Sequence, residues 1–433
     1  NSAVEISDAE GEVYPVAQQG AGRVQVPAAA TASLAVFPST LSVGQVLVES
    51  QKVLRRSLTF KNLSDEAVDV TVESDLDEGF RVTASSATIE AGASAQIDLR
   101  IHLQPEYGDA ASLELDGWLL VKQGDEVLAR IPALTVATKA TRITGEELKI
   151  FATSSADDAG ALAQLTVKNH GQTAGDVLPF NLIAKDERNL AAIQNRFHNG
   201  VCDLQSSGYR VVEQTTEDGT VKQVLQVAVK LYHPVTTWNL CEVSVQIDGN
   251  GDGIADQELL GTSISNYIAG QPNDSFGSLL MDGDEMRRIR REFEESYPEV
   301  DRADYSVAAV ALEPFQNFDL STLAVVSADL SQLAQTPTGQ LNVKVAVIGD
   351  VASPSADDFL SEMEQEWHLL PISDDAIGYV GLPEVLPVAP GAEEVFEFVK
   401  GGAGGELILY MPHNRSNFSN VLEDGQSVTI EAE

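Results

Sequence analysis

The sequence predicts an all-β protein of several β-sandwich domains in tandem, with one helix inserted near residues 282–297. Short segments in which apolar and polar residues alternate recur along the chain, and turn residues separate them. From about residue 30 to 140, no segment has the spacing of an amphipathic helix. A chain of 433 residues is long enough for more than one hydrophobic core, so several domains are expected.

The first predicted sandwich covers residues 30–142. Short strands at regular spacing along the chain are typical of an antiparallel sandwich of about 100 residues. Its predicted strands lie in segments 55–64, 67–75, 80–86, 95–105 and 115–137.

The second predicted sandwich covers residues 143–350 and is larger. Its predicted strands lie in segments 161–171, 225–233, 241–253, 304–313, 321–331 and 341–349. The predicted helix interrupts this block.

The helix is predicted from a cap and an apolar stripe. Asp282 or Asp284 is of the residue type that caps a helix, and the residues that follow are acidic. Met286, Ile289 and Phe293 recur at the spacing of one helix face, so this face should be buried. A proline ends the helix.

Residues 351–433 are expected to form a small C-terminal β domain. The segment begins with the linker-like sequence VASPSADDF, and a glycine-rich turn separates two of its three predicted strands.

The charge of the chain excludes some classes of partner. There are 27 basic and 66 acidic residues, which gives a formal net charge of −39. Such a surface repels phosphate backbones and anionic membranes, so no nucleic-acid partner is expected. No run of 18 apolar residues is present, so no membrane span is expected.

Two cysteines, Cys202 and Cys241, lie near the ends of two apolar segments. In an exported protein we expect them to form a disulfide. The alternative is two buried free thiols, because pairing requires Cα atoms within about 7 Å, which a sequence does not reveal.

The segment DGNGDGIAD, residues 248–256, has the spacing of a calcium loop. Acidic and amide side chains alternate along it, and a glycine permits the sharp turn. An EF-hand needs glutamate at the twelfth position, where Leu259 stands, so a dockerin-like or sandwich-type Ca²⁺ loop is favoured over an EF-hand. The alternative is an Asp-Gly turn without an ion. The predicted ligands are Asp248, Asn250, Asp252, the carbonyl of Ile254, and Asp256.

Two segments are similar to motifs of subtilisin-like proteases. Ser263 in LLGTSISNYIAG resembles the segment of the nucleophile, and His170 in NHGQTAG resembles that of the histidine. Both motifs are one residue short and lack family residues, and no aspartate motif follows an apolar strand. A Ser-His-Asp mechanism needs all three side chains, so no catalytic residue is predicted in this chain.

Three other segments carry a resemblance to the part of large secreted subtilases that follows the catalytic domain. QQGAGRVQVPAAA, residues 18–30, resembles the end of a subtilase catalytic domain. The sequence from 33 onward looks like the fibronectin-III-like domain of these proteases, and LILYMPHNRSN, residues 407–417, looks like the end of such a protein. The resemblance implies that residues 1–29 are the tail of a preceding catalytic domain and that residues 30–142 are fibronectin-III-like.

The expected function follows from this resemblance. We expect a non-catalytic accessory region of a secreted subtilisin-like serine endopeptidase, located outside the cell or in the cell envelope. It would stabilise the catalytic domain of the same precursor, position protein or peptide substrates, and hold a structural Ca²⁺. The alternative is a free-standing extracellular adhesion or carbohydrate-binding β-sandwich protein.

Overall fold

The protein is described by a computed structural model. It describes residues 2–108, 110–151, 161–188, 202–216, 218–235, 237–268, 275–296, 311–318, 320–349, 366–373, 377–401, 405–415 and 425–428. The chain divides into two compact units, Asn1–Thr141 and Arg142–Glu433. Both are built mostly of β-strands, as predicted.

The first unit begins with two short helices and continues as strands. The helices are α1 (Val16–Gln19) and α2 (Val26–Ala30). The strands are β1 (Leu34–Phe37), β2 (Leu41–Val48), β3 (Lys52–Asn62), β4 (Val68–Leu76), β5 (Phe80–Ala84), β6 (Ala87–Ile89), β7 (Ser94–Leu103), β8 (Ser112–Gln123) and β9 (Glu126–Lys139).

These strands form two sheets that share one core. One sheet has the order β1-β3-β7-β5 and the other β2-β9-β8-β4-β6. Apolar side chains of both sheets belong to a single buried cluster, in which Phe60 and Leu99 come from the first sheet and Leu119 and Ile131 from the second. The alternation of buried and exposed residues along β3 and β7 places their polar residues on the outer face. The first unit is therefore built of two layered sheets, in agreement with the predicted all-β fold class.

The predicted division at residue 29 is not where the unit begins. The N–H of Ala17 donates to Oδ2 of Asp116 at 3.0 Å. Glu5 forms an ion pair with Arg130 at 3.0 Å, and Val16 is buried. The N-terminal residues therefore belong to the first unit.

The second unit contains eighteen strands among the described residues. They are β10 (Ile143–Phe151), β11 (Ala161–Asn169), β12 (Gly175–Lys185), β13 (Leu204–Thr215), β14 (Val221–Leu231), β15 (Cys241–Ile247), β16 (Gln257–Ser263), β17 (Phe276–Asp282), β18 (Ala311–Glu313), β19 (Gln316–Asn317), β20 (Leu323–Asp329), β21 (Gln340–Gly349), β22 (His368–Pro371), β23 (Tyr379–Val380), β24 (Leu386–Val388), β25 (Glu393–Lys400), β26 (Leu407–Tyr410) and β27 (Gly425–Val428).

Three sheets result. The largest has the order β19-β20-β14-β13-β12-β26-β27, and β24 also pairs with β12. A six-stranded sheet has the order β18-β17-β16-β15-β21-β22, and a four-stranded sheet has the order β10-β11-β25-β23. The main core lies between the large and the six-stranded sheets, and a second core lies between the four-stranded sheet and the β12–β24–β26 part of the large sheet.

The predicted boundary near residue 350 does not divide this unit. β22 extends the six-stranded sheet, β25 pairs with β11, and β26 pairs with β12. The described strands after residue 366 are therefore integral to all three sheets, because their backbone groups pair with strands from earlier in the chain. The segments 351–359 and 304–310, predicted as a linker and part of a strand, lie outside the described residues.

The predicted helix is present as α3 (Gly283–Ser296). The carboxylate of Asp282 accepts a hydrogen bond from the N–H of Glu285 at 3.0 Å, which is the predicted cap. Met286 and Ile289 are buried against Leu260 and neighbouring apolar residues of β16 and β17. The side chain of Phe293 lies outside the described part of the chain. Among the described residues, no helix is long and apolar enough to span a membrane.

Cys202 and Cys241 are joined by a disulfide, with Cα atoms 5.6 Å apart. Cys202 precedes β13 of the large sheet, and Cys241 begins β15 of the six-stranded sheet. Both are buried in the core between these sheets. The bridge therefore links the two layers that enclose this core.

Replacing both cysteines by serine should lower the free energy of unfolding of the second unit by about 3–4 kcal/mol, because a crosslink across this loop restricts the unfolded chain. Hydrogen exchange measures the effect by strand. Amides of β14 and β15 should exchange faster, whereas those of β8 in the first unit serve as the control and should not change. Equal acceleration in β8 would show that the variant disturbs the whole protein.

Candidate functional site

The loop between β15 and β16, residues 248–256, is the candidate site. It begins at Asp248, which is completely buried. The N–H of Asp248 donates to the carbonyl of Asn342 on β21 at 2.9 Å, and the amide of Asn342 donates back to Oδ2 of Asp248 at 3.2 Å. The first residue of the loop is thereby fixed to the neighbouring strand.

Two aspartates close the loop from its ends. Oδ1 of Asp248 accepts from the N–H of Gly251 at 2.6 Å, and Oδ2 accepts from the N–H of Gly253 at 2.9 Å. Oδ2 of Asp256 accepts from the N–H groups of Gly249 and Asn250 at 2.8 and 3.2 Å. Backbone donors that would otherwise be unpaired are satisfied in this way.

Asn250 and Asp252 make two successive local turns. Oδ1 of Asn250 accepts from the N–H of Asp252, and Oδ1 of Asp252 accepts from the N–H of Ile254, both at 2.8 Å. Such bonds to the residue two positions ahead define Asx turns. Gly251 and Gly253 have φ values of 76° and 83°, which only glycine adopts without strain. The sequence pattern of alternating polar residues and glycines therefore specifies the turn itself.

The loop also supports the elements around it. The N–H of Gly283, at the start of α3, donates to the carbonyl of Asp256 at 2.9 Å. A Cβ atom at Gly283 would lie 2.1 Å from the carbonyl oxygen of Ala255, so this approach requires glycine. Arg287 of α3 donates to the same Ala255 oxygen. The end of the loop is thus the docking point of the helix.

The arrangement bears on the predicted Ca²⁺ ligands. The structure places all five in one loop, and the carboxylates of Asp248 and Asp256 both accept backbone hydrogen bonds. Among the described residues, no group of three or more His, Cys, Asp or Glu side chains is arranged to hold a metal ion. The side chain of Ile254 is 51% exposed. In this structure, hydrogen bonds from backbone amides to carboxylates hold the loop as a tight connection between β15 and β16.

Ser263 and His170 are in different environments. Ser263 ends β16, and its Oγ lies 2.9 Å from Oγ of Ser265. His170 is exposed, and its Nε2 lies 2.9 Å from the Thr144 hydroxyl and 3.1 Å from Glu146. Within the described part of the chain, His170 makes no hydrogen bond to Ser263.

The side chains of His170, Thr144 and Glu146 form a contact on the protein surface. The Thr144 hydroxyl and, to a lesser extent, His170 hold the pKa of the Glu146 carboxyl below its usual range. The interaction is exposed to solvent and contributes little to stability.

A groove on the first unit was not predicted from the sequence. It crosses β3, β7 and β5 on the outer face of their sheet and has a volume of about 840 Å³. We call it the arginine groove. Side chains that line it include Arg55, Arg56, Ser57, Thr83, Asp98 and Arg100. The alternation of residues along β3 and β7 indicated an outer face, but only the pairing of the strands brings these arginines together.

No family model matches the chain. A stretch of 139 residues is 27% identical to part of the minor extracellular protease Vpr of Bacillus subtilis (strain 168). The match covers 31% of this chain and 17% of that protease, so the chain spans a small part of that relative. Part of the chain is therefore similar to a region of a protease.

Solved structures that match the chain have low similarity to it. A putative carbohydrate binding protein from Bacteroides ovatus ATCC 8483 is 8% identical, with 73% of this chain and 98% of that chain covered and a TM-score of 0.19. The secreted serine protease VesC from Vibrio cholerae is 9% identical, with 45% and 44% covered and a TM-score of 0.18. These likenesses carry no argument about function.

The hydrogen bonds predict different costs for two aspartates of the loop. Asp256→Ala leaves the N–H groups of Gly249 and Asn250 without their acceptor and should cost about 1–3 kcal/mol in the free energy of unfolding. Asp252→Ala removes a local bond in an exposed turn and should cost about 0.5 kcal/mol.

Both variants remove one negative charge, so each controls for the other. Chemical denaturation without added metal measures the difference. Equal losses would contradict the structural role assigned to Asp256.

Proposed function

We propose that this chain is a non-catalytic accessory region of a secreted subtilisin-like serine protease, in which it stabilises the catalytic domain and positions protein substrates. The observation that carries the proposal is the 139-residue similarity to a part of an extracellular protease. The all-β architecture supports it, because layered sheets give a rigid framework on which a second domain can rest.

The disulfide and the charge fit the same setting. Disulfides persist in oxidising environments such as the outside of the cell. A net charge of −39 keeps a protein soluble and separate from anionic surfaces.

The proposal predicts how a serine-directed fluorophosphonate probe will react. The product of the whole gene should be labelled, and peptides from residues 1–433 should be found in the labelled protein. The chain of residues 1–433 alone should not be labelled, and Ser263→Ala should change nothing.

Two results would contradict the proposal. Labelling of the isolated chain that is lost in Ser263→Ala would make the chain itself a hydrolase. A whole gene product that does not react would favour the free-standing adhesion or carbohydrate-binding protein.

We also propose that the loop of residues 248–256 holds a structural Ca²⁺. Its oxygens stand at alternating positions, as hard-cation loops require. Each carboxylate oxygen has two lone-pair directions, so one that accepts an N–H can still bind a cation. Asn250 and Asp252 would have to turn from their local bonds toward the loop interior. The role is structural, since the loop fixes α3 and two strands.

Calcium should therefore raise the unfolding temperature of the second unit. Binding to the native state alone stabilises it by about 2.7 kcal/mol at a hundredfold excess over the dissociation constant. Thermal melts with Ca²⁺ or with a chelator measure this shift.

Asp252→Ala should lose the shift. Asp218→Ala removes an exposed aspartate from another turn of the same unit, so it should keep the shift and serves as the control. An unchanged midpoint of the parent chain with and without Ca²⁺ would disprove the site.

A further inference from the structure

The arginine groove brings like charges together. Arg55 of β3 lies directly opposite Arg100 of β7, which also pairs with Thr83 of β5. Residues directly opposite on antiparallel strands have Cβ atoms about 5 Å apart, and like charges in that position are destabilising. Arg56, the next residue of β3, also lines the groove, and its guanidinium donates to the carbonyl of Arg55 at 3.0 Å. The fold itself gains nothing from this arrangement.

The arginines also have no internal counter-ion within the described part of the chain. Arg55, Arg56 and Arg100 are exposed and form no ion pair within 4.0 Å among the residues that the structure describes. Two other cations of the same unit do form ion pairs, Lys122 with Glu73 and Arg130 with Glu5. In a chain with 66 acidic residues, this leaves a local positive site at Arg55 and Arg100 for an anionic partner.

The size of the groove restricts the partner to a chain segment. Its volume of about 840 Å³ lies within the range of ligand pockets, and it is open to solvent along the sheet. A folded protein would need roughly 800 Å² of contact on each side, more than such a groove offers. A short extended segment fits within it.

The chemistry of the lining favours a peptide over a phosphate or sulfate. Asp98 lies in the groove beside the arginines and accepts hydrogen bonds but repels dianions. A peptide offers both carboxylates for Arg55 and Arg100 and backbone N–H groups for Asp98. Carboxylates two residues apart in an extended chain point the same way at a spacing of roughly 6.5–7 Å, which two long arginine side chains can reach.

We propose that the arginine groove binds an extended acidic peptide segment with glutamate or aspartate at alternating positions. That such peptides are the substrates that the region positions rests on the proposed accessory role. That the groove binds them does not, because binding involves this chain alone.

The test uses the whole chain and a short fluorescent peptide in which glutamate alternates with serine. Its anisotropy should rise on binding, and high salt should reverse the rise because exposed charges are screened. The double variant Arg55→Gln, Arg100→Gln should bind roughly tenfold or more weakly, as expected when charge-assisted bonds are lost. A peptide with glutamine for glutamate should not bind.

The matched control is Arg23→Gln, Arg130→Gln, which removes the same charge from the same unit outside the groove. It should bind like the parent chain, and thermal melts verify that both double variants are folded. Equal loss in both variants, or no binding of the acidic peptide by the parent chain, would overturn the proposal.

A sulfated polysaccharide that binds the groove more tightly than the peptide would overturn it as well. Because no protease takes part in this test, a negative result would not contradict the accessory role. A negative fluorophosphonate result would likewise not contradict peptide binding.

Discussion

The second unit depends on the pairing of one strand, β12, with three others. Its first half pairs with β24 and β26, and its second half pairs with β13. Val177 of this strand faces the core beneath the four-stranded sheet, whereas Leu178 and Phe180 belong to a separate buried cluster. Because both faces of the strand are buried, the strand connects cores that are distant in sequence. Two strands after residue 366, β24 and β26, therefore complete the pairing of β12.

The large sheet, which is buried on both faces at β12, also contains a buried arginine. Arg210 of β13 is 1% exposed, and its guanidinium stacks on the ring of Phe180 at 4.1 Å. It donates to the side chain of Gln226 at 2.8 Å and to the carbonyl of Pro383 at 2.7 Å. Burial lowers the pKa of Arg210 to about 9, so it remains charged at neutral pH. Amide and carbonyl oxygens replace water around Nε and Nη1, whereas Nη2 has no hydrogen-bond partner among the described residues.

The sequence predicted what local pattern controls. Strands with one face in water, such as β3 and β7, alternate with period two, and α3 has its cap and apolar stripe. β12 was missed because it is buried on both faces and contains Pro179, which disfavours a strand assignment. The boundary near residue 350 was wrong because pairs such as Leu165 with Phe396 leave no local signal.

The candidate sites were likewise predictable only where their residues are close in sequence. The spacing of residues 248–256 was visible in the sequence, but the role of Asp256 as an acceptor for the N–H of Gly249 was not. The arginine groove had no sequence signal, since Arg55 and Arg100 meet only through the register of β3 and β7. Local chemistry was therefore predictable, whereas the pairing of distant strands was not.

The role that we propose for this β framework is to serve a protease without taking part in its chemistry. The most direct measurement is the rate of thermal inactivation of the whole gene product, compared with a version that ends at residue 141, at the boundary of the first unit. Activity is followed with a small chromogenic peptide. The account predicts that the shortened protein has the same initial kcat and loses activity several times faster. Equal inactivation rates, or a shortened protein with no initial activity, would contradict it.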